Sequence, residues 1–184
     1  MPDVGLAATA PGGERKHPKK DIAMTQITEA GIKEAAQKFL GGSTIKEVKG
    51  ITNDELEAVY SLGFGYYNTG KFEDAQKLFE FLVLFDHLST KYWFALGAVQ
   101  QARKDYQKAI ASYGYSSFLD LENPKPQYHA AECYLALGDK ANAASAILAL
   151  EHYCPANTDI GREYRAKATE LRKTIGEKEF EAEG

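Results

Sequence analysis

From about residue 25 to residue 175, apolar side chains return every three or four positions, and no stretch keeps the period of two that a strand requires. A first helix is predicted from a Thr28 cap to about Leu40, with Ile32, Ala35, Ala36, Phe39 and Leu40 on one stripe. Gly41-Gly42 ends it, and TIKEVKG reads as a short turn. Thr52 and Asn53, followed by Asp54 and Glu55, then open a long helix. Side-chain oxygens there cap free N–H groups, and negative charge suits the positive end of the helix dipole. Near the other end, Ile160, Tyr164, Ala168, Leu171 and Ile175 recur at close to helical spacing between Asp159 and Phe180, which predicts a capping helix. The chain is expected to be all-α.

This helical pattern is self-similar at an offset of 34 residues, which aligns units 56–89, 90–123 and 124–157. Gly63, Gly97 and Ala131 coincide at the eighth position, with Val59, Trp93 and Gln127 before them and Tyr66, Gln100 and Tyr134 after. In the second half of each unit, Ala75, Ala109 and Ala143 align, then Phe79, Tyr113 and Ile147. Gly70, Lys104 and Gly138 share the turn, and Pro155 ends the third unit. Two antiparallel helices approach closely only where a small side chain removes bulk. A Gly or Ala at the eighth position against Ala at the twentieth meets that need, and large residues fill the space around it. Each pair leaves a face to be covered by a neighbour, so the units stack into a superhelix. The pattern resembles the tetratricopeptide repeat, the third unit departing from it at Gln127, Ala130 and Ala131. The organisation that follows is a tail over 1–24, an N-terminal helical region over 25–52, three repeats within 53–157, and a C-terminal helix with an acidic tail over 158–184.

In such a superhelix the first helix of each pair lines a concave side, at positions 2, 5, 9, 12 and 13 of the 34-residue frame. Those positions hold Glu57, Tyr60, Phe64, Tyr67 and Asn68 in the first unit, and Lys91, Phe94, Ala98, Gln101 and Ala102 in the second. The third unit contributes Lys125, Tyr128, Glu132, Leu135 and Ala136. Tyr60, Phe64, Tyr67, Phe94 and Tyr128 therefore face one groove. Either these rings pack against an end helix, or they form pockets for the apolar side chains of an extended peptide. In the second case Lys91, Lys125 and Gln101 are placed to hydrogen-bond the peptide backbone or a carboxylate.

Composition narrows the partners. The 184 residues carry a formal charge of −4, a poor match for a nucleic-acid phosphate backbone. The longest unbroken apolar runs, such as FLVLF at 81–85, fall far below the ~20 residues of a membrane span. Two cysteines, Cys133 and Cys154, make no disulfide framework and suit a reducing cytoplasm. Residues 1–23 hold three of the six prolines and a net +1, leaving −5 for the rest. They lack the apolar stretch of an export signal and read as a disordered tail or an added leader. A surplus of 11 Tyr and 9 Phe over one Trp is accounted for in part by the groove.

The strings LEAVYSLGFGYYNTGKFEDAQKLFEFLVLFDH, YWFALGAVQQ and YHAAECYLALGD are similar to the class II chaperones of type III secretion translocators, over roughly residues 28–175. The resemblance implies three tetratricopeptide repeats, an N-terminal helical region used in homodimerisation, and a C-terminal helix. It implies a cytoplasmic protein without an ATP site that keeps hydrophobic translocators secretion-competent. Such chaperones bind an extended Pro/Val-x-Leu-x-x-Pro segment in the concave groove. The family's aromatic pocket positions fall on Tyr60, Phe64 and Tyr67, with Phe72 and Phe94 as lesser candidates. Val4-Gly5-Leu6 in the tail matches the first two anchors of that motif, which gives the tail a second reading as a ligand-like segment.

Other chemistry is thinly represented. His129, Glu132 and Cys133 lie at helical spacing, but zinc needs about four ligands and only His152 and Cys154 are left to complete a set. There is no GxSxG and no GxxxxGK[ST], and Gly63-Phe64-Gly65 falls inside a helix with no strand before it. No catalytic centre, metal or cofactor is expected. The runner-up to a chaperone is a repeat adaptor that scaffolds folded proteins through their C-terminal carboxylates.

Overall fold

The computed structural model describes residues 33, 37, 38 and 40–176. The first predicted helix therefore lies largely outside the described residues, but its end is in view. Gly41 N–H donates to the Gln37 carbonyl at 2.9 Å, Ser43 N–H to that of Lys38 at 3.0 Å, and Gly42 takes φ +87°. This left-handed stop is open to glycine because it has no Cβ.

Eight further helices follow among the described residues: α1 Ile45–Lys49, α2 Asn53–Asn68, α3 Phe72–Phe85, α4 Thr90–Ala102, α5 Tyr106–Leu119, α6 Pro124–Ala136, α7 Lys140–Tyr153 and α8 Asp159–Ile175. TIKEVKG is a helical turn, α1, where the sequence reading expects an irregular one. The Thr44 side chain and the Glu47 carboxylate cap each other's backbone N–H, and Gly50 closes the turn at φ +68°. Lys46 then reaches Asp86 at 2.5 Å and ties α1 to the end of α3. Thr52 and Glu55 form the same reciprocal cap on α2.

Helices α2/α3, α4/α5 and α6/α7 are the paired repeats, each packed on the next, with α8 against α6 and α7. The frame recurs in the backbone itself. In the three turns, Lys71, Asp105 and Asp139 N–H donate to the carbonyls of Tyr66, Gln100 and Tyr134, each at 2.9 Å. Gly70, Lys104 and Gly138 take φ of +75°, +65° and +78° at equivalent places. Lys104 thus carries a side chain in a conformation that costs an L-residue about 1 kcal/mol.

The eighth position is small for a reason more specific than helix approach. A Cβ on Gly63 would come within 2.9 Å of the Phe79 ring, and one on Gly97 within 2.7 Å of the Tyr113 ring. The aromatic residue of the second helix sits flat on the bare glycine. Ala75, Ala109 and Ala143, the twentieth-position partners expected from sequence, are fully buried beside this contact. In the third unit the ring is replaced by Ile147, so Ala131 fits where glycine stood before.

Helix α8 closes the stack. Tyr164, Ala168 and Ile175 are buried on it, whereas Ile160 is on its outer side. Arg165 Nη2 donates to the carbonyls of Glu151 and Cys154, satisfying the open end of α7. Gly161 is buried at the entry to α8, and a Cβ there would lie 2.0 Å from the Pro155 carbonyl oxygen.

Candidate peptide-binding groove

On the concave side a cavity of about 390 Å³ opens between α2, α4 and α6. Its first wall is Tyr60, Phe64 and Tyr67 of α2, one helical face carried by the spacing of positions 5, 9 and 12. Its second is Phe94, Ala98 and Gln101 of α4, where small residues leave the space that the rings enclose. Phe79 and Tyr113, read from sequence as repeat core, are also its floor. Tyr60 and Phe64 stack at 6.3 Å with their planes 10° apart, and Tyr60 leans on Phe79 at 5.8 Å. The backing fixes Tyr60 in place, while Phe64 stays 48% exposed. A large ring held half in water loses little by burial under a ligand and contributes area without new ordering.

Of the aromatic and polar residues expected to contact a ligand, Tyr60, Phe64, Tyr67, Phe94 and Gln101 line the cavity. Phe72 stands behind Tyr67, ring to ring at 5.7 Å, and supports it without reaching the cavity. Asn68 is exposed at the end of α2, beyond the rim. Lys91 does not project a free ammonium. Its Nζ is 2.7 and 2.8 Å from the two Glu57 oxygens and 3.7 Å from the Tyr60 ring centre. It belongs to a second cavity, across Tyr60 and Phe94, whose rim also includes Asp120 and Lys125. Tyr128 does not line the cavity: it packs edge-on against Tyr164 of α8 at 5.4 Å and against His129 at 5.4 Å, with its side chain bonded to Glu132. For this ring the packing alternative holds, because the capping helix supplies an apolar face that the first two units lack.

A profile of the tetratricopeptide repeat matches residues 56–87 and 90–123, the two units with glycine at the eighth position. Low calcium response locus protein H of Yersinia pestis is 37% identical over 151 residues, which span 81% of this chain and 89% of that protein. The chain belongs to the class II type III secretion chaperone family. Among solved structures, a type III secretion complex from Aeromonas hydrophila superposes with a TM-score of 0.73 at 31% identity, over 78% of this chain and 95% of that one. The Yersinia enterocolitica chaperone SycD, solved with a peptide of the translocator YopD, gives 0.63 at 37% identity, over 68% of this chain and 95% of that one. SycD has also been solved in an alternative dimer.

This family member has a polar end to its groove that sequence reasoning did not assemble. Glu132 and His129 of α6 complete the cavity wall. His129 Nδ1 is 2.8 Å from Glu132 Oε2, and Gln101 Nε2 donates to the same oxygen at 3.2 Å. The Tyr113 hydroxyl donates to Gln101 Oε1 at 2.7 Å, which orients the amide. Gln101 thus spends both ends of its amide inside the protein, on Tyr113 and on Glu132. Burial pushes the Glu132 carboxyl upward, but the bonds from His129, Gln101 and Tyr128 more than offset it, and the net shift is below the ordinary value of 4.5. Glu132 stood in the concave frame and in the His/Cys cluster, so its position was legible. The side chains converging on it were not.

His129 and Cys133 serve different places. His129 faces the groove against Phe94 and Tyr113, at 5.6 Å from each ring. Cys133 is fully buried, and burial, with Glu132 nearby, pushes its thiol up to about 12. A thiol so protonated is a poor metal ligand or nucleophile. Among the described residues, no three His, Cys, Asp or Glu side chains gather as a metal site, and no helix is long and apolar enough to cross a membrane.

Proposed function

We propose that the protein is a cytoplasmic chaperone that holds hydrophobic type III secretion translocators through an extended segment of the Pro/Val-x-Leu-x-x-Pro kind. The observation that carries this reading is the convergence of Tyr60, Phe64, Tyr67 and Phe94 on one open apolar cavity. In the related SycD, a translocator peptide is the bound ligand. The protein works by binding and shielding, with no bond made or broken. A clamp for terminal carboxylates needs several free cations on the inner face, and Lys91 is already engaged by Glu57. The adaptor reading therefore has less support. Self-association as a homodimer uses the N-terminal helical region. Leu40, at its end, is 88% exposed and offers apolar surface to a second copy.

Co-expression with candidate translocators, followed by affinity capture, tests the function directly. The wild-type chain is expected to keep the translocator soluble and to co-purify with it, and Phe64→Ala to lose it. Equal capture by wild type and by a Tyr60→Ala/Phe64→Ala double variant would remove the groove from the account. Sedimentation that shows only monomer across a wide concentration range would remove the dimer.

A further inference from the structure

We infer that Glu132 makes the groove selective for a cationic side chain, lysine or arginine, at one intervening position of the bound peptide. The inference rests on the groove reading above and deepens it by assigning the ligand's polar chemistry as well as its apolar anchors.

The argument begins with what the repeat does not require. Position 9 of the frame holds Phe64 and Ala98 in the first two units, so neither packing nor turn geometry demands a charge there. In the third unit it holds a carboxylate, one-third exposed, on the wall of an otherwise aromatic cavity. No lysine or arginine lines that cavity. Lys91 and Lys125 stand on the far side of Tyr60 and Phe94, Lys91 is paired with Glu57, and Lys167 of α8 lies over the Tyr164 ring. The faces of Phe64, Phe94 and Tyr113 are themselves electron-rich. A carboxylate among such faces makes a region of negative potential that attracts a cation and repels a carboxylate.

The carboxylate is also held ready. The two bonds from His129 and Gln101 both fall on Oε2, and the Tyr128 side chain also bonds to this carboxylate. The relay from the Tyr113 hydroxyl through Gln101 keeps it in place before a ligand arrives. An ammonium or guanidinium approaching along the groove meets a fixed acceptor with aromatic surface for its methylene stem.

The test uses the full chain and labelled peptides that carry the Val-x-Leu-x-x-Pro anchors, with each intervening position set in turn to Lys, Gln or Glu. At one position, wild type is expected to bind the Lys peptide over the Glu peptide by roughly tenfold at low salt, as close charge pairs in interfaces do. That ratio should shrink as salt rises. Glu132→Gln should bring the ratio near one. A ratio near one at every position in wild type overturns the inference, and so does a ratio that Glu132→Gln does not alter. Phe64→Ala should weaken all three peptides together. Failure of every peptide to bind wild type would instead strike the groove reading itself, and the inference with it. Were Glu132→Gln to lose its helical circular dichroism, the salt dependence in wild type decides the matter, a salt-independent ratio counting against the inference.

Discussion

Tyr60 and Tyr128 occupy the same position of the repeat, two units apart, and their surroundings decide opposite roles for them. Tyr60 stacks beside Phe64 on the wall of an open cavity. Tyr128 lies edge-on against Tyr164, where α8 has closed over it. The difference is a neighbour, not a local sequence. A repeat supplies the same apolar face at each end, and whichever face no helix covers is available to a ligand. The first-unit ring is therefore left open to a ligand, whereas the third-unit ring is partly covered by α8.

The largest way to break that contrast is to unseat α8. Gly161→Ala would drive a methyl into the Pro155 carbonyl, which cannot rotate aside as a side chain can. We expect a loss of about 3 kcal/mol in urea unfolding, the upper end for overpacking. Next comes a matched pair. Phe64→Ala should weaken peptide binding by about 2 kcal/mol, as a central aromatic anchor does. Because Phe64 is 48% exposed, stability should change by no more than about 0.5 kcal/mol. Tyr128→Ala should do the reverse, costing about 2 kcal/mol of stability with peptide affinity kept. Titration calorimetry beside denaturant unfolding separates the two, and equal effects from both variants would erase the distinction between the ends.

A smaller effect is expected at the central turn. Lys104→Gly relieves the φ of +65°, and after glycine's greater freedom in the unfolded chain is set against it, a gain of about 0.5 kcal/mol should appear in thermal unfolding. The smallest concerns acid. Glu132's carboxyl is depressed in the folded state, so its bonds stabilise the fold above pH 4.5 and are lost as pH falls through that lower folded value. The stability gap between wild type and Glu132→Gln should narrow over the same range in urea titrations.

Much of this was legible in the residues. The offset of 34 located three helical pairs, and the concave frame picked out Tyr60, Phe64, Tyr67 and Phe94, because spacing along a helix dictates its faces. Phe79 and Tyr113 read only as core, since a frame that assigns one side to each residue misses a ring that packs beneath a glycine and still floors a cavity. Asn68 and Lys91 lie off this cavity for a related reason. The frame says which way a position points, not whether the helix ends there or whether a facing residue, such as Glu57, has already taken the charge. Gly161 carried no signal, because the carbonyl that requires it comes from a different turn of chain.

The sequence by itself determined the helices, their pairing, the small residues at the eighth position, and the aromatic face of the first unit. These follow from contacts within one 34-residue period, which local spacing encodes. Only the tertiary structure decided that Tyr128 packs against α8, that Gln101 and His129 turn inward on Glu132, and that the groove ends in a fixed carboxylate. Each depends on side chains from separate helices arriving at one point, and no periodicity along a single helix records such a meeting.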